Sequence, residues 1–417
     1  MTTQKKSSWH GPKQVGLMIY LALLMLIGSA LVGGSTNTVL PVISEQFGWD
    51  VGFLRTAAGW GAMAVVVGNF IFGTVSKRKG PKLANTVSLI LGAVSLLLYA
   101  WTNNLALFVT AILLIGTFSG GWYLASNTAM TANWWPTKKG VVLGITTMGI
   151  VLIDLVWIPF IPDAFAAFGV GPTLTVVAIG MVVVAIIGAF FTKNTPEEAG
   201  EYPDGDAEHA EDIRAVANAM RNYQSPFTLK KVFSIKETWT LGIGMGLMRM
   251  VNLAFVASLV PRLLSVGYEY TLTLRVLAVG GVVGLIGSYI VGVLDQKLGT
   301  KKATFIYAGI FLGFLILACF HAYSVVIVWI SCVVIQSILG GTANLIPSAI
   351  AAKFGRWDYT AGHRVIGSIC ELGAGLGIML TGVFHDFQTM YYVCIAFLVV
   401  GIILVACSKF DLIGKKG

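Results

Sequence analysis

Gly73-Thr-Val-Ser-Lys-Arg-Lys-Gly-Pro-Lys82 and Gly292-Val-Leu-Asp-Gln-Lys-Leu-Gly-Thr-Lys301 share one spacing and lie about half a chain apart. Each begins with Gly at the end of a long apolar run, places a second Gly seven residues on, closes with Lys and leads into another apolar run. A chain that repeats its tightest basic hairpin at half its own length reads as a doubled membrane-spanning unit. Such doubling points to a transporter rather than an enzyme.

Composition agrees. Hydrophobic residues make up 56% and charged residues 11% of the 417, with a mean hydropathy of +0.81. Water-soluble chains carry roughly a quarter charged residues, so here lipid must cover most of the surface. The five cysteines (Cys319, Cys332, Cys370, Cys394, Cys407) lie in or at the ends of apolar runs. They lack metal-ligand spacing and read as small hydrophobes in packed helices; no metal and no cofactor is expected. Met1 to Lys13 is polar and basic, and the apolar run after it has no small-residue cleavage site. It reads as leading into a retained first helix.

About 20 apolar residues cross the ~30 Å hydrocarbon layer. Twelve runs qualify: 14–36, 52–75, 84–101, 105–128, 140–162 and 171–192, then 238–261, 272–294, 303–321, 324–346, 364–384 and 389–408. They predict an all-α integral membrane protein with a six-helix bundle over 1–192, a linker over 193–236 and a second bundle over 237–417. The linker opens acidic, from Glu197 to Asp212, and ends in a basic helical part near Lys230-Lys231; it is no catalytic domain.

With the N-terminus inside, every Lys and Arg of the 28 except Arg55, Arg249, Arg262 and Arg275 falls on the cytoplasmic side. The opposite orientation would invert the positive-inside rule at each loop. Both termini are therefore expected in the cytoplasm, in a cell membrane. The net charge of +9 is this bias and calls for no nucleic-acid partner.

Twelve spans in a 6+6 repeat, a long middle loop and paired Gly-basic hairpins resemble the major facilitator superfamily. Thr131-Ala-Asn-Trp-Trp-Pro-Thr-Lys-Lys-Gly140, continuing through Gly144 and Gly149, is similar to the connection between the fourth and fifth helices of the oxalate:formate antiporter family and its monocarboxylate-transporter relatives. Pro347-Ser348, Phe354-Gly355, Tyr359 and Gly362 resemble the next-to-last connection of the same families. The resemblance implies alternating access around a central cavity approached by helices 5, 7 and 11. It also has gaps. The superfamily's hairpin Asp is replaced by Lys77 and Gln296, with Asp295 displaced by one. The two basic residues of the oxalate antiporter correspond to Ser288 and Glu371, which disfavours oxalate and other dianions.

Ionisable groups deep in a membrane are costly and face a cavity or a partner. Away from span ends there are three: Asp154, beyond the midplane of the fifth helix, Arg249, near the midplane of the seventh, and Glu371, in the inner half of the eleventh. Arg249, with Asn252 within one turn, suits a carboxylate, which a guanidinium grips bidentately. A structural Arg249–Glu371 pair is the competing reading. Glu371 and Asp154 are candidate proton carriers, because a carboxyl group in low dielectric readily takes up a proton. Trp122 and Tyr123 are candidate walls of the substrate site, with ordinary packing as the alternative. Ser35-Thr-Asn-Thr38, Asn69, Gln336 and Asn344 are weaker cavity candidates. Lys138, Lys139 and Arg78 are assigned to a gate between bundles, although topology signalling also accounts for single lysines.

These readings predict a secondary active transporter for a small organic solute, most simply a monocarboxylate-type anion, coupled to protons and working as a monomer. The alternatives are an anion exchanger, or a receptor or scaffold that binds without transport. Multidrug efflux is disfavoured, because Gly149-Ile-Val-Leu-Ile-Asp154 lacks the Gly-x-x-x-Gly-Pro pattern of drug–proton antiporters. An enzyme is disfavoured by the lack of a nucleophile–base set or phosphate loop.

Overall fold

The computed structural model describes residues 11–205 and 213–414. Lys5, Lys6, Lys415, Lys416, the acidic run from Asp206 to Asp212, and the side chains of Thr36, Asn37, Arg214 and Arg221 lie outside the described residues.

Among the described residues, 11 helical stretches are long and apolar enough to cross a membrane. Nine cross once: α1 Pro12–Gly34, α2 Val51–Lys79, α3 Pro81–Trp101, α4 Leu105–Trp134, α5 Lys139–Phe168, α6 Val170–Phe191, α7 Lys236–Ser265, α8 Tyr270–Leu298 and α9 Thr300–Ala318. The tenth stretch, Val325–Val383, has 59 residues, more than twice what one crossing needs. It breaks at Gly355, where φ is 68° and ψ −175°. Gly355 divides it into α10 (325–354) and α11 (356–383), which run in opposite directions. With α12, Phe387–Ala406, the crossings among the described residues number twelve. The segments that lead into α1 and out of α12 lie on the face that carries the linker, with Lys13 bonded to Ala199 O at 2.9 Å and Lys301 to Ser408 O at 2.8 Å.

Two expected boundaries are corrected. The sequence suggests a loop over 347–363, yet the chain stays helical to Gly355 and resumes at once. The charges that read as loop are buried against remote partners: Lys353 meets Glu237 at 3.7 Å, and Arg356 meets Glu197 at 2.9 Å. The first apolar run was expected to end at residue 36, but helix continues through Ser35–Phe47. Ser35 and Thr38 donate their hydroxyls to Leu31 O and Gly34 O, each at 3.0 Å, so their polarity is satisfied inside the helix.

Gly355 occupies a backbone region open almost only to glycine. Gly355→Ala is expected to cost about 1–3 kcal/mol. Thermal unfolding of the solubilised protein measures it, and an unchanged midpoint would mean that the turn relaxes freely. The two hairpins are built alike. Gly80 (φ 91°, ψ 154°) and Gly299 (φ 82°, ψ 152°) end α2 and α8, donating to Ser76 O at 2.9 Å and Asp295 O at 3.0 Å. The next helix starts one residue later in each copy.

Buried apolar side chains form two main clusters, one drawn from 17–185 with Ile378, the other from 227–405 with Ala129 and Ala132. Outer faces show the reverse pattern: Phe190, Phe191 and Ile286 are 75%, 82% and 60% exposed, as a surface solvated by lipid requires. The halves meet along α2–α11 and α5–α8. A Cβ on Gly375 would stand 2.8 Å from Gly59 O, and one on Gly140 2.9 Å from Gly292 O. Bare backbone at these crossings lets the helices approach closely.

Candidate functional site

Asp154, Arg249 and Glu371 each lie close to the middle of their helices, because those helices extend beyond the apolar runs. Reckoned from the runs alone, Asp154 was expected beyond the midplane and Glu371 in the inner half; full helix lengths bring all three to one level. They line a single cavity of about 70 Å³. Asn252 and Tyr123 line it too, as do Gly33, Ile153 and Leu339, so both halves contribute. One water needs roughly 10–15 Å³ on this measure, so the space suits a solute of a few heavy atoms.

Three helices of the first half reach this level with a π-helical turn: Ala30–Gly34 in α1, Gly120–Ser126 in α4 and Ile153–Trp157 in α5. Such a turn inserts an extra residue and swings the next side chains about the axis. Tyr123 and Asp154 are carried on two of them.

Arg249 is held from both sides. Its Nη2 donates to the Tyr123 hydroxyl of the first half at 3.0 Å, and its Nη1 to Thr342 Oγ1 of the second half at 3.3 Å. Glu371 Oε1 lies 3.7 Å from Nε, beyond hydrogen-bond range. A guanidinium has five N–H donors, so after these two bonds three remain for an incoming anion. Asn252 donates to Tyr307 at 3.3 Å, and its Oδ1 is buried without a partner among the described residues. Gln336, with its amide nitrogen turned to the acceptors, donates to Asp154 Oδ2 at 3.2 Å across the halves.

Trp122 is not part of this arrangement. It is fully buried, with its ring against Gly92 of α3, and does not line the cavity. Successive residues of a helical turn point in different directions about its axis, so Trp122 and Tyr123 face different ways.

The linker face is closed by polar contacts between halves. Lys139 donates to Ser348 O at 3.1 Å across the halves, and within the second half Ser348 Oγ donates to Asp295 Oδ2 at 2.5 Å, which holds the acceptor side in place. Asn344 donates to Gly140 O at 3.3 Å, and Gln296 to Thr137 O at 2.8 Å. Lys138 takes part through its backbone N–H, which donates to Asp204 Oδ1 at 3.0 Å. Arg78 is exposed and lines a separate surface pocket of about 390 Å³. Asn69 bridges α2 and α11, donating to Ser368 at 2.9 Å.

The linker adds a strap. Arg356 Nη2 donates to both Glu197 oxygens at 2.9 Å, with both side chains almost fully buried. Tyr223 donates to Asp358 at 3.1 Å, and its hydroxyl titrates above the usual range because of local burial and that carboxylate. Sequence reading did not single out Thr342 or Tyr307, and took Glu197 and Asp204 only as members of the acidic run that opens the linker. Asp295 stood out in the sequence as the displaced acid of the second hairpin.

The sequence profile of the Major Facilitator Superfamily matches residues 22–362. The chain belongs to the Major Facilitator Superfamily. No curated protein matches it by sequence. Among solved structures, that of the human organic anion transporter MFSD10 (TETRAN) is similar, with a TM-score of 0.66 at 12% identity. The match covers 95% of this chain and 100% of the human one. Family and fold make this a multi-pass membrane transporter.

Proposed function

We propose that the protein carries a small organic monocarboxylate across the cell membrane by alternating access, with a proton as its co-substrate and both termini in the cytoplasm. The observation that carries the reading is Arg249 at mid-depth, opposite Glu371, in a small cavity shared by both halves. A carboxylate entering this cavity meets open guanidinium donors and forms charge-assisted bonds that are strong in low dielectric. A proton arriving on Glu371 releases Arg249 from its counter-charge and leaves the loaded site near neutrality. Asp154, bound to Gln336 of the other half, is a second place for a proton. Lys139, bridged to α10, belongs to the gate on the linker side; Lys138 contributes its backbone there, and Arg78, expected in that gate, stands apart from it at the surface.

The test is uptake of radiolabelled formate, lactate and pyruvate by proteoliposomes, with and without an imposed pH gradient. Accumulation that follows the gradient supports symport. Exchange without a gradient response would assign the protein to anion exchange, and binding without flux to a receptor. Glu371→Gln is expected to abolish gradient-driven accumulation while sparing lactate-for-lactate exchange, because glutamine keeps the shape but carries no proton. Acid-stimulated accumulation persisting in that variant would move coupling to another group.

A further inference from the structure

Below the Arg249–Glu371 level, toward the linker face, lies a second void of about 20 Å³. Tyr123, Thr128, Arg249, Thr342, His363 and Glu371 all line it. It is large enough for one water, and its polar lining offers that water partners. His363 and Glu371 lie on one helix, two turns apart, with Gly367 between them. A Cβ at Gly367 would stand 3.0 Å from His363 Cε1 and Nε2, so the ring rests beside the turn just below Glu371. Helical side chains lean toward the N-terminus of their helix, which tilts Glu371 toward that ring.

We propose that His363 is the proton relay between Glu371 and the linker face. The proposal rests on the proton-coupled reading above and deepens it. The imidazole is 2% exposed and only loosely tied: Nε2 is 3.4 Å from Thr128 Oγ1, whose hydroxyl already donates to Leu124 O at 2.6 Å. In the transfer, the O–H bond of the Glu371 carboxyl breaks, one water passes the proton, and an N–H bond forms at the open imidazole nitrogen. The new carboxylate stays beside Arg249. The imidazolium then gives its proton to water entering from the linker face, and the ring returns to its neutral form.

The surrounding charges time this step. From α7 the ring faces Arg249; from α4, Tyr123 and the neutral Thr128; from α10, Thr342. From α2, Asn69 donates to the His363 carbonyl at 3.4 Å. On α11 itself, Tyr359 stacks on the ring at 5.2 Å, and Arg364 lies over Phe70. Arg249 opposes a positive ring until Glu371 has become a carboxylate, so the proton reaches His363 only as the ion pair re-forms. Buried Tyr359 bars the way onward while the linker face is closed.

His363→Gln keeps polarity and approximate size but cannot carry a proton between pH 5 and 8. Wild type and variant are compared in proteoliposomes containing a pH dye, with lactate as the probe. Lactate exchange should be unchanged, while gradient-driven accumulation and dye-reported proton entry fall by about tenfold or more. That is less than the ~10²-fold expected of a fully rate-limiting proton carrier, because conformational change shares control of the rate. Undiminished accumulation overturns the relay, and so does a parallel fall of exchange, which marks a packing role. Should the variant fail to fold, wild type in heavy water replaces it: slowed net uptake with unslowed exchange supports the relay, and any other pattern overturns it. A wild type indifferent to the gradient sinks the coupling itself, whereas a responsive wild type with a responsive variant sinks only the relay.

Discussion

Arg249→Lys will lower carboxylate uptake by about 100-fold or more while leaving the protein folded. A lysine keeps the positive charge beside Glu371, so no carboxylate is left buried alone, and the fold has little reason to fail. What is lost is the planar fork. Arg249 spends two donors on Tyr123 and Thr342 and still has others for an anion; an ammonium has three donors in all and cannot match both oxygens of a carboxylate. Two charge-assisted hydrogen bonds at roughly 1.5–3 kcal/mol each account for a drop of that size. Uptake in proteoliposomes and the unfolding midpoint are measured together. Full uptake by the lysine variant would remove Arg249 from the solute site. Alanine is the poorer probe, since stranding Glu371 costs about 3–5 kcal/mol and confounds binding with folding.

Glu197→Ala will loosen the linker face. Glu197 follows α6 of the first half, and Arg356 opens α11 of the second, so their two 2.9 Å bonds tie the halves together only while that face is shut. Removing one partner of a buried pair costs about 3–5 kcal/mol, and here the cost falls on the closed form. At about 3 kcal/mol the balance between forms moves by on the order of 100-fold. A cysteine at Ala343, which lines the lower void, reports the change through its rate of alkylation by an impermeant maleimide. Exposed Cys407 is first replaced by serine. Alkylation should speed up on the order of 100-fold, limited by how fully the face opens. An unchanged rate would show that the strap follows closure, leaving Asp295, Ser348 and Lys139 to control it.

The sequence carried the fold because lipid leaves few options. Apolar runs and paired glycine hairpins had to be helices and reversals, and Gly80 and Gly299 do share one backbone geometry. Arg249, Asp154 and Glu371 were visible as charges with no water to meet them. Orientation about a helix axis was not legible. Trp122 and Tyr123 are neighbours of equal promise, and the π-helical turn that carries both leaves no mark in residue type. The α10–α11 reversal was misread for another reason. Lys353, Arg356 and Asp358 have loop-like polarity, and the Glu237, Glu197 and Tyr223 that bury them lie more than a hundred residues away. His363 stands two turns from Glu371 in the sequence, which says little by itself; its meaning depends on the missing side chain at Gly367 and the void beside it.

If Glu371 carries the co-transported proton, as proposed above, the ion pair at the centre also governs slippage. With cargo absent and Glu371 ionised, Arg249 is electrically satisfied, and the unloaded protein can turn over silently. With Glu371 protonated but no anion present, an unmatched guanidinium sits in a nearly dry space and the return stroke stalls. Under that coupling, idle cycling would move no protons, and the gradient across the membrane would be drawn down only when solute travels with it.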